Sequence, residues 1–508
     1  MDATLMNIRS FKDDTFLINE FLFLCPIDYK LPKHNENCIE LSFKLVHGEK
    51  AGKIRGGLRV KNESTERILS QISRHKILVY LCGGPGDKNP PSRLPELNRY
   101  FLERGYWILY PDYRGTGDSS SAEIAWSLDH PDESRALYMI EQLGQRNIVR
   151  DLEAVRAVLC RGAKWTICAQ SYGGWITYSY LSFCPSGLKR VCLNAGVAPI
   201  HYDPVSVHQR LFRNIIKRNE AYYFLYPDDV ARVKRIAVWL AGHNDGAGVE
   251  VPGWGRITVH QFLCLGRNLG SETKYAQLHR LCEKMADDVD QTGSLSAATI
   301  ALYRETDNWR FDERPLYAVL NESQYLRDGK DAARWVAQGV ARSPEFRPFF
   351  WWVNSGAAEI GARVREQMQR EQEQEQEEQE EQEGEEDMPK PKPKKLKLYL
   401  SGEMVYDFFF DNYAALRPYR RVAMELAAGS GRRTAEASYD LAQLKRNRVP
   451  VTSVQGSADV IVDPDLAFPT WVKTGNVKAC ELEGLEHGAI RSDTRLMLNA
   501  HTDLMPFE

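Results

Sequence analysis

The sequence predicts an α/β protein whose mostly parallel sheet is interrupted by a long helical insertion. Over residues 1–196, short apolar runs rich in β-branched residues alternate with helical stretches, the pattern of a parallel sheet with right-handed crossovers. From about 197 to 436 the chain is helix-rich, aromatic and irregular, and the alternation returns over 437–508. We therefore expect a core made from the two outer parts and a helical cap made from the insertion.

The predicted strands span residues 16–26, 39–46, 76–81, 106–110, 165–169, 190–194, 449–455 and 477–482. The first two are joined by a turn-rich connector, so we expect them to form an antiparallel edge that leads into the larger sheet. Helical spacing of apolar residues predicts helices over 148–160 and 175–183.

Composition narrows the class of protein. The chain has 508 residues and a formal net charge of −3, so its overall charge does not favour binding to nucleic acid or to an anionic membrane. Ten cysteines include no C-x-x-C pair, which is typical of reduced core cysteines. Residues 1–15 lack the pattern of a secretory signal, and no apolar run has the length of a membrane span. The expectation is a cytoplasmic protein.

A low-complexity stretch lies inside the insertion. Residues 371–387 are almost entirely Glu and Gln, and 389–397 are mostly Pro and Lys. Neither composition supplies side chains for a core, so we expect a disordered or fraying charged linker over about 366–397. A partner-binding segment is the alternative interpretation.

One serine stands at a turn suited to catalysis. The apolar strand at 165–169 ends at Ser171, which has Ala169 two residues before it and Gly173 two residues after it. A strand, a tight turn with small neighbours and a following helix form the nucleophile elbow of α/β-hydrolases, usually G-x-S-x-G. Ala169 replaces the first glycine, where small size is the main requirement. A chance match in a loop is the alternative.

A serine nucleophile needs an imidazole base and a carboxylate that orients it, in the chain order Ser, Asp, His for this fold. Asp459 follows the strand at 449–455, and His487 follows the strand at 477–482. Asp463 is a rival acid, but it lies further from the strand end. Taken singly, these are ordinary turn and surface residues. Their order and positions favour a triad.

The developing oxyanion needs backbone donors. The N–H of Tyr172, directly after the serine, is one candidate. The second is expected from the loop at residues 82–86 (C-G-G-P-G), from Gly84 or Gly83. The alternative for this loop is a simple tight turn.

Three motifs resemble those of the proline iminopeptidase (prolyl aminopeptidase) family: 82–86 (C-G-G-P-G), 112–117 (D-Y-R-G-T-G) and 170–174 (Q-S-Y-G-G). The family usually has H-G-G-P-G, D-Q-R-G-x-G and G-x-S-x-G-G, so Cys82 and Ala169 are departures that remove no catalytic group. The resemblance implies an α/β-hydrolase core with a helical cap. It also implies release of an N-terminal residue, preferably proline, from peptides with a free N-terminus, without metal or cofactor.

Carboxylates are needed to bind the substrate ammonium. Glu322 and Glu403 lie in insertion segments that resemble the family's amine-binding positions, although each could instead be a surface carboxylate or part of an ion pair in the cap. Aromatic residues at 349–352 and 408–410 are expected to wall a prolyl slot or to form plain core. Asp112 and Arg114 are expected to brace the loops around the site.

Two other functions remain open from the sequence. An esterase or amidase of the same fold would use the same triad on a small acyl substrate, because fold alone does not decide function. A degenerate hydrolase kept as a binding protein would not need all three catalytic residues. No oligomeric state is indicated.

Overall fold

The structure is a computed structural model that describes residues 3–13, 16–32, 37–48, 58–59, 63–120, 133–327, 332, 334–382, 397–429 and 436–507. Its contacts divide the chain into two compact units. The sheet unit comprises Met1–Val207, Glu313–Arg334 and Pro418–Glu508, and the helical unit comprises His208–Asp312 and Trp335–Arg417. The boundaries of these units differ from the predicted division at 197–436, because Glu313–Arg334 and the chain from Pro418 group with the sheet. The assignment of domains itself remains a prediction.

The strands are, in chain order, β1 (Thr4–Asp13), β2 (Phe16–Pro26), β3 (Cys38–His47), β4 (Leu58–Arg59), β5 (Lys76–Leu81), β6 (Tyr106–Pro111), β7 (Trp165–Gln170), β8 (Leu188–Asn194), β9 (Val249–Val251), β10 (Gly255–Ile257), β11 (Val451–Gly456) and β12 (Val477–Leu482). The first ten helices are α1 (Glu63–Ile72), α2 (Pro95–Leu102), α3 (Glu133–Glu141), α4 (Gln145–Leu159), α5 (Tyr172–Phe183), α6 (Pro204–Leu225), α7 (Asp229–Gly242), α8 (Val259–Leu263), α9 (Tyr275–Thr292) and α10 (Ala297–Thr306). The remaining helices are α11 (Leu316–Leu320), α12 (Val336–Ala341), α13 (Arg347–Phe350), α14 (Ala357–Gln382), α15 (Phe409–Asn412), α16 (Arg420–Ala428), α17 (Leu441–Lys445), α18 (Pro464–Lys473), α19 (Ala489–Ser492) and α20 (Thr494–Leu504).

Within the described residues, the sheet unit contains a ten-stranded sheet in the order β12-β11-β8-β7-β5-β6-β3-β2-β1-β4. Strands β12 to β6 are parallel to their neighbours. From β6 outward the pairing is antiparallel. The sequence-based prediction of a mostly parallel sheet with an antiparallel edge is confirmed, and the fold is that of an α/β-hydrolase.

The central parallel strands are almost entirely buried, which explains their continuous apolar sequences. Every residue of β7 is buried, and so is every residue of β5 except the first. Parallel sheets in α/β proteins have helices on both faces, so their strands carry apolar side chains on both sides. Because the strands are parallel, the loops that follow them leave from one edge of the sheet, where sites form in this fold class.

The loop after β6 is braced by buried charges. The guanidinium of Arg114 donates to both carboxylate oxygens of Asp151, at 2.6 and 2.8 Å, and also to the carbonyls of Pro26 and Ile27. Asp112 accepts from the Lys44 ammonium at 2.7 Å. These contacts account for the predicted bracing role of Asp112 and Arg114.

The prediction of a linker over 366–397 is wrong for residues 366–382, which are helical. Helix α14 runs to Gln382. Glu and Gln have good helix propensity, and the ammonium of Lys234 on α7 binds both carboxylate oxygens of Glu371 at 2.5 and 2.7 Å. Composition alone missed this tertiary anchor. Residues 383–396 lie outside the described part of the chain.

The two aromatic stretches contribute to the core of the helical unit. Phe350 and Phe409 are fully buried. The ring of Phe350 lies 4.8 Å from that of Phe212, and the ring of Phe409 lies 5.1 Å from that of Trp309. These rings fill the interior of the unit, as one of the two interpretations expected.

All ten cysteines lie in the described residues, and none of them forms a disulfide bond. Among the helices that the structure describes, none is both long enough and apolar enough to cross a bilayer.

Asp307 is a buried carboxyl in the helical unit. Its Oδ2 accepts from the hydroxyl of Tyr413 at 3.0 Å, and its Oδ1 accepts from the backbone N–H of Trp309 at 3.2 Å. Burial disfavours the charged form and raises the pKa of Asp307 to about 6.

This pKa makes the stability of the helical unit depend on pH. The folded-state pKa lies above that of an unfolded Asp, so the stabilising contribution of the protonated carboxyl is complete below the unfolded pKa of about 3.9 and is lost as pH rises through about 6, roughly 3 kcal/mol in all. In Asp307→Asn we expect the urea midpoint to vary less between pH 4 and pH 7 than in the wild type. Asp287→Asn, at an exposed carboxylate on α9 of the same unit, is the control. An equal pH dependence in wild type and Asp307→Asn would contradict the prediction.

Candidate active site

Ser171 lies at a strained turn between β7 and α5. Its backbone has φ 52° and ψ −127°, a conformation that non-glycine residues rarely adopt. The N–H of Ser171 donates to the carbonyl of Asn194 at 3.3 Å, and the N–H of Gly174 donates to the carbonyl of Ser171 at 2.7 Å. The predicted strand, sharp turn and helix are therefore present at this serine.

The glycines after Ser171 are required by close packing. A Cβ on Gly173 would lie 2.2 Å from the carbonyl oxygen of Leu81, and one on Gly174 would lie 1.6 Å from that of Gly196. Both contacts are to backbone atoms, which have little freedom to move. The turn is thus wedged between the end of β5 and the chain that follows β8.

Three side chains form a continuous hydrogen-bonded chain at this turn. His487 Nε2 lies 3.0 Å from Ser171 Oγ, and His487 Nδ1 lies 2.8 Å from Asp459 Oδ2. Ser171 follows β7, Asp459 follows β11 and His487 follows β12, so each comes from the same edge of the sheet. The arrangement suits proton transfer from the serine hydroxyl to the imidazole.

Asp459 is oriented by three further donors. It is buried and accepts from the Gln455 side chain and from the backbone N–H groups of Ile461 and Val462, each at 2.9 Å. The rival Asp463 instead caps α18, where it accepts from the N–H groups at the start of that helix. Asp459 is therefore the carboxylate that reaches the imidazole.

The glycine loop after β5 comes close to Ser171 through Gly83. A Cβ on Gly83 would lie 3.0 Å from Ser171 Cβ and 3.5 Å from Ser171 Oγ. Gly84 adopts φ 133°, a conformation that favours glycine. Tyr172 is the first residue of α5, and the N–H groups of a first turn have no acceptor within the helix.

Cys82 has a packing role in this loop. Its thiol is buried and lies 3.9 Å from the carbonyl oxygen of Asp87, and burial raises the pKa of that thiol. Its own carbonyl accepts from the hydroxyl of Tyr113 at 3.1 Å. The departure from histidine at this position thus leaves the loop anchored on both sides.

Gln170 is a site residue to which the sequence analysis gave no role. Its side-chain nitrogen lies 3.5 Å from both Nε2 and the carbonyl oxygen of His487. A Cβ on Gly83 would lie 2.9 Å from its Oε1. Its position directly before Ser171 was the available signal.

Glu322 belongs to the sheet unit, although the sequence placed it in the insertion. It is 6% exposed and begins a 3₁₀ turn, Glu322–Tyr325, after α11. The ring of Tyr325 packs edge-on against that of Trp175 on α5, with centroids 6.2 Å apart. The carbonyl of Gln324 accepts from the Gln145 side chain at 3.3 Å. The segment that carries Glu322 therefore rests on the helices beside the elbow.

Glu403 lies in the helical unit. Its Oε1 is 2.9 Å from Nη2 of Arg267, whose guanidinium also lies 4.7 Å from the ring centre of Trp309. The ion pair anticipated as the alternative for this residue is thus present. No cluster of three or more potential metal ligands occurs among the described residues.

Comparison with known proteins identifies relatives of the chain. No protein-family model matches it. Proline iminopeptidase aneH of Aspergillus aculeatus is 29% identical over 425 residues, covering 82% of each chain. The proline iminopeptidase of Aeromonas sobria is 27% identical over 427 residues, covering 83% of this chain and 85% of that protein. A crystal structure of the Mycobacterium smegmatis proline iminopeptidase aligns with 92% of this chain and 94% of its own, at 12% identity and a TM-score of 0.37.

Over more than four fifths of its length the chain is similar to two proteins named proline iminopeptidase. The resemblance carried by the three motifs is thereby confirmed, and the order and direction of the strands independently give the α/β-hydrolase fold. The roles of individual residues are not fixed by these comparisons and rest on the geometry described above.

The packing of the turn at Ser171 predicts that one added methyl group strongly destabilises the fold. Gly174→Ala places its Cβ against the Gly196 carbonyl, so we expect a loss of more than about 3 kcal/mol in the free energy of unfolding, or failure to fold. Gly144→Ala, where the nearest atom is 3.8 Å from the added Cβ, should change it by less than about 1 kcal/mol. Chemical denaturation compares the two, and equal stability of both variants would refute the predicted clash.

Proposed function

We propose that this protein is a serine aminopeptidase that releases N-terminal proline, or another small residue, from peptides. The observation that carries the proposal is the hydrogen-bonded chain from Ser171 through His487 to Asp459, at a strained turn, in a homologue of proline iminopeptidases. The mechanism uses only side chains and backbone groups of this chain.

In the first step the serine attacks the carbonyl of the N-terminal residue. His487 Nε2 takes the proton of Ser171 Oγ as the oxygen–carbon bond forms. Asp459 accepts from Nδ1–H, which fixes the tautomer that leaves Nε2 free as a base and stabilises the imidazolium. The short distances at both imidazole nitrogens support these roles.

The negative charge that develops on the carbonyl oxygen requires donors in place beforehand. The Tyr172 N–H at the start of α5 supplies one. The glycine loop supplies the other, from Gly83 or Gly84, and the closeness of Gly83 to Ser171 favours Gly83. The tetrahedral intermediate collapses when the imidazolium protonates the leaving amine. Water, deprotonated by the same imidazole, then hydrolyses the acyl-enzyme and releases the free amino acid.

Recognition of a free N-terminus requires a carboxylate for the ammonium. Glu322 supplies a buried carboxylate in the same compact unit as the triad. Glu403 is the second candidate and shares its charge with Arg267. A buried carboxylate prefers a cationic partner, so substrates without an ammonium would bind less well.

The triad is tested by hydrolysis of a prolyl arylamide. Ser171→Ala should lower kcat by about 10⁴-fold or more, and His487→Gln by a similar factor, because the members of such a unit act together. Ser182→Ala, whose hydroxyl bonds the Tyr178 carbonyl within α5, should retain wild-type rates. Full activity of Ser171→Ala would remove the triad from the mechanism.

Substrate class separates the aminopeptidase from its alternatives. The wild type should cleave a prolyl arylamide much faster than its N-acetylated form. Equal rates on the two would favour an esterase or amidase, which a simple aryl ester would then reveal. Absence of turnover on all three substrates would indicate a binding protein.

The carboxylates are tested by conservative replacement. Glu322→Gln should raise KM for the prolyl arylamide roughly tenfold with a smaller change in kcat, because it removes a charge that binds the ammonium in both ground and transition states. Glu403→Gln should raise KM in the same direction. Glu305→Gln, at an exposed carboxylate, is the control and should be neutral. Unchanged kinetics in either test variant would exclude that residue from the amine site.

A further inference from the structure

Residues 314–325, which form the segment that carries Glu322, are attached to both elements expected to form the oxyanion hole. One end of the segment lies on the glycine loop, because a Cβ on Gly86 would lie 2.7 Å from the backbone nitrogen of Tyr317. The other end lies on α5, where the rings of Tyr325 and Trp175 pack together. The glycine loop and α5 carry the proposed backbone donors. The segment is therefore positioned by the same two elements that would position the substrate carbonyl.

A partly buried ion pair locks the first of these attachments. Arg314 Nη1 lies 3.0 Å from Oδ1 and 3.2 Å from Oδ2 of Asp87, so one guanidinium nitrogen bridges both carboxylate oxygens. The side chains are 14% and 18% exposed. The guanidinium also lies 4.8 Å from the ring centre of Tyr317. Asp87 directly follows the glycine loop, and Arg314 opens the segment.

We propose that the Asp87–Arg314 pair is a positioning device that sets the distance between the carboxylate that binds the substrate ammonium and the site that binds the substrate carbonyl. This inference rests on the proposed aminopeptidase function. Glu322 lies on the segment that Arg314 begins, and the oxyanion donors lie on the loop that Asp87 ends. Both residues of the pair belong to the sheet unit. By fixing this distance, the pair restricts cleavage to the first peptide bond of the substrate. Neither residue contacts the reacting atoms.

The geometry has a specific consequence for kinetics. Chemistry at the carbonyl depends on the triad and the backbone donors, whereas productive binding of the ammonium depends on the spacing between Glu322 and those donors. A small displacement of a positioned group lowers catalysis steeply. Breaking the pair should therefore penalise substrates with a free N-terminus more than substrates that lack one.

The experiment compares a prolyl arylamide with a simple aryl ester in the full-length protein. In Arg314→Gln and in Asp87→Asn, KM for the prolyl arylamide should rise roughly tenfold, whereas kcat/KM for the ester should change by less than about threefold. The exchanged pair Asp87→Arg with Arg314→Asp should recover part of the lost selectivity. Arg156→Gln breaks a comparably buried ion pair with Glu153 and is the matched control.

Three results would overturn the inference. Equal losses of activity on the arylamide and the ester would show that the pair only stabilises the fold. In that case the thermal unfolding temperature of each variant would be lowered as well. Kinetics of Arg314→Gln that match those of Arg156→Gln would remove the pair from substrate positioning. A wild type that cleaves the N-acetylated arylamide as well as the free one would overturn the proposed function itself, and with it the positioning role of the Asp87–Arg314 pair.

Discussion

The backbone conformation of Ser171 is the constraint on which the site depends. A non-glycine residue at positive φ costs about 1–3 kcal/mol and persists only where its surroundings enforce it. Here close packing holds the backbone after Ser171, and a hydrogen bond holds the backbone N–H of Ser171 itself. Gly173 and Gly174 let the first turn of α5 approach the Leu81 and Gly196 carbonyls, and the Asn194 carbonyl holds the serine N–H. The turn lifts the hydroxyl off the end of β7, where an imidazole reaches it.

The parallel sheet brings the two partners to that hydroxyl. Strands β11 and β12 are paired in register, with Gly456 opposite Leu482, so the loops after them begin at the same level. Asp459 lies in the first loop and His487 in the second. Two backbone N–H groups and one amide hold the carboxylate before any substrate arrives. Such preorganisation removes a reorganisation cost that free side chains would carry.

Much of the sheet could be predicted from sequence because its strands are buried on both faces. The continuous apolar run after Lys76 predicted the bounds of β5 correctly. The bounds of β12 were also predicted correctly, although this strand lies at the edge of the sheet and none of its residues is fully buried. Strand β1 was missed because it lies near the sheet's edge, where Met6 and Phe11 are exposed and polar residues interrupt the pattern. The continuation of α14 was missed because composition does not reveal that Lys234 anchors Glu371.

The residues of the candidate site could also be predicted only in part from the sequence. The order of serine, aspartate and histidine narrowed the residues to a few, but the choice between Asp459 and Asp463 depends on which carboxylate caps α18. The placement of Glu322 in the sheet unit depends on contacts that its segment makes with residues far away in the sequence, such as Gly86.

A break in the alternation of strands and helices marks where an insertion begins, but it does not show whether part of that insertion packs back on the core. Gly86 allows this return, since its missing Cβ leaves room for the Tyr317 backbone. One compact unit consequently holds the hydrogen-bonded residues Ser171, His487 and Asp459 together with the buried carboxylate of Glu322, so the groups proposed for reaction and for amine recognition belong to the same unit.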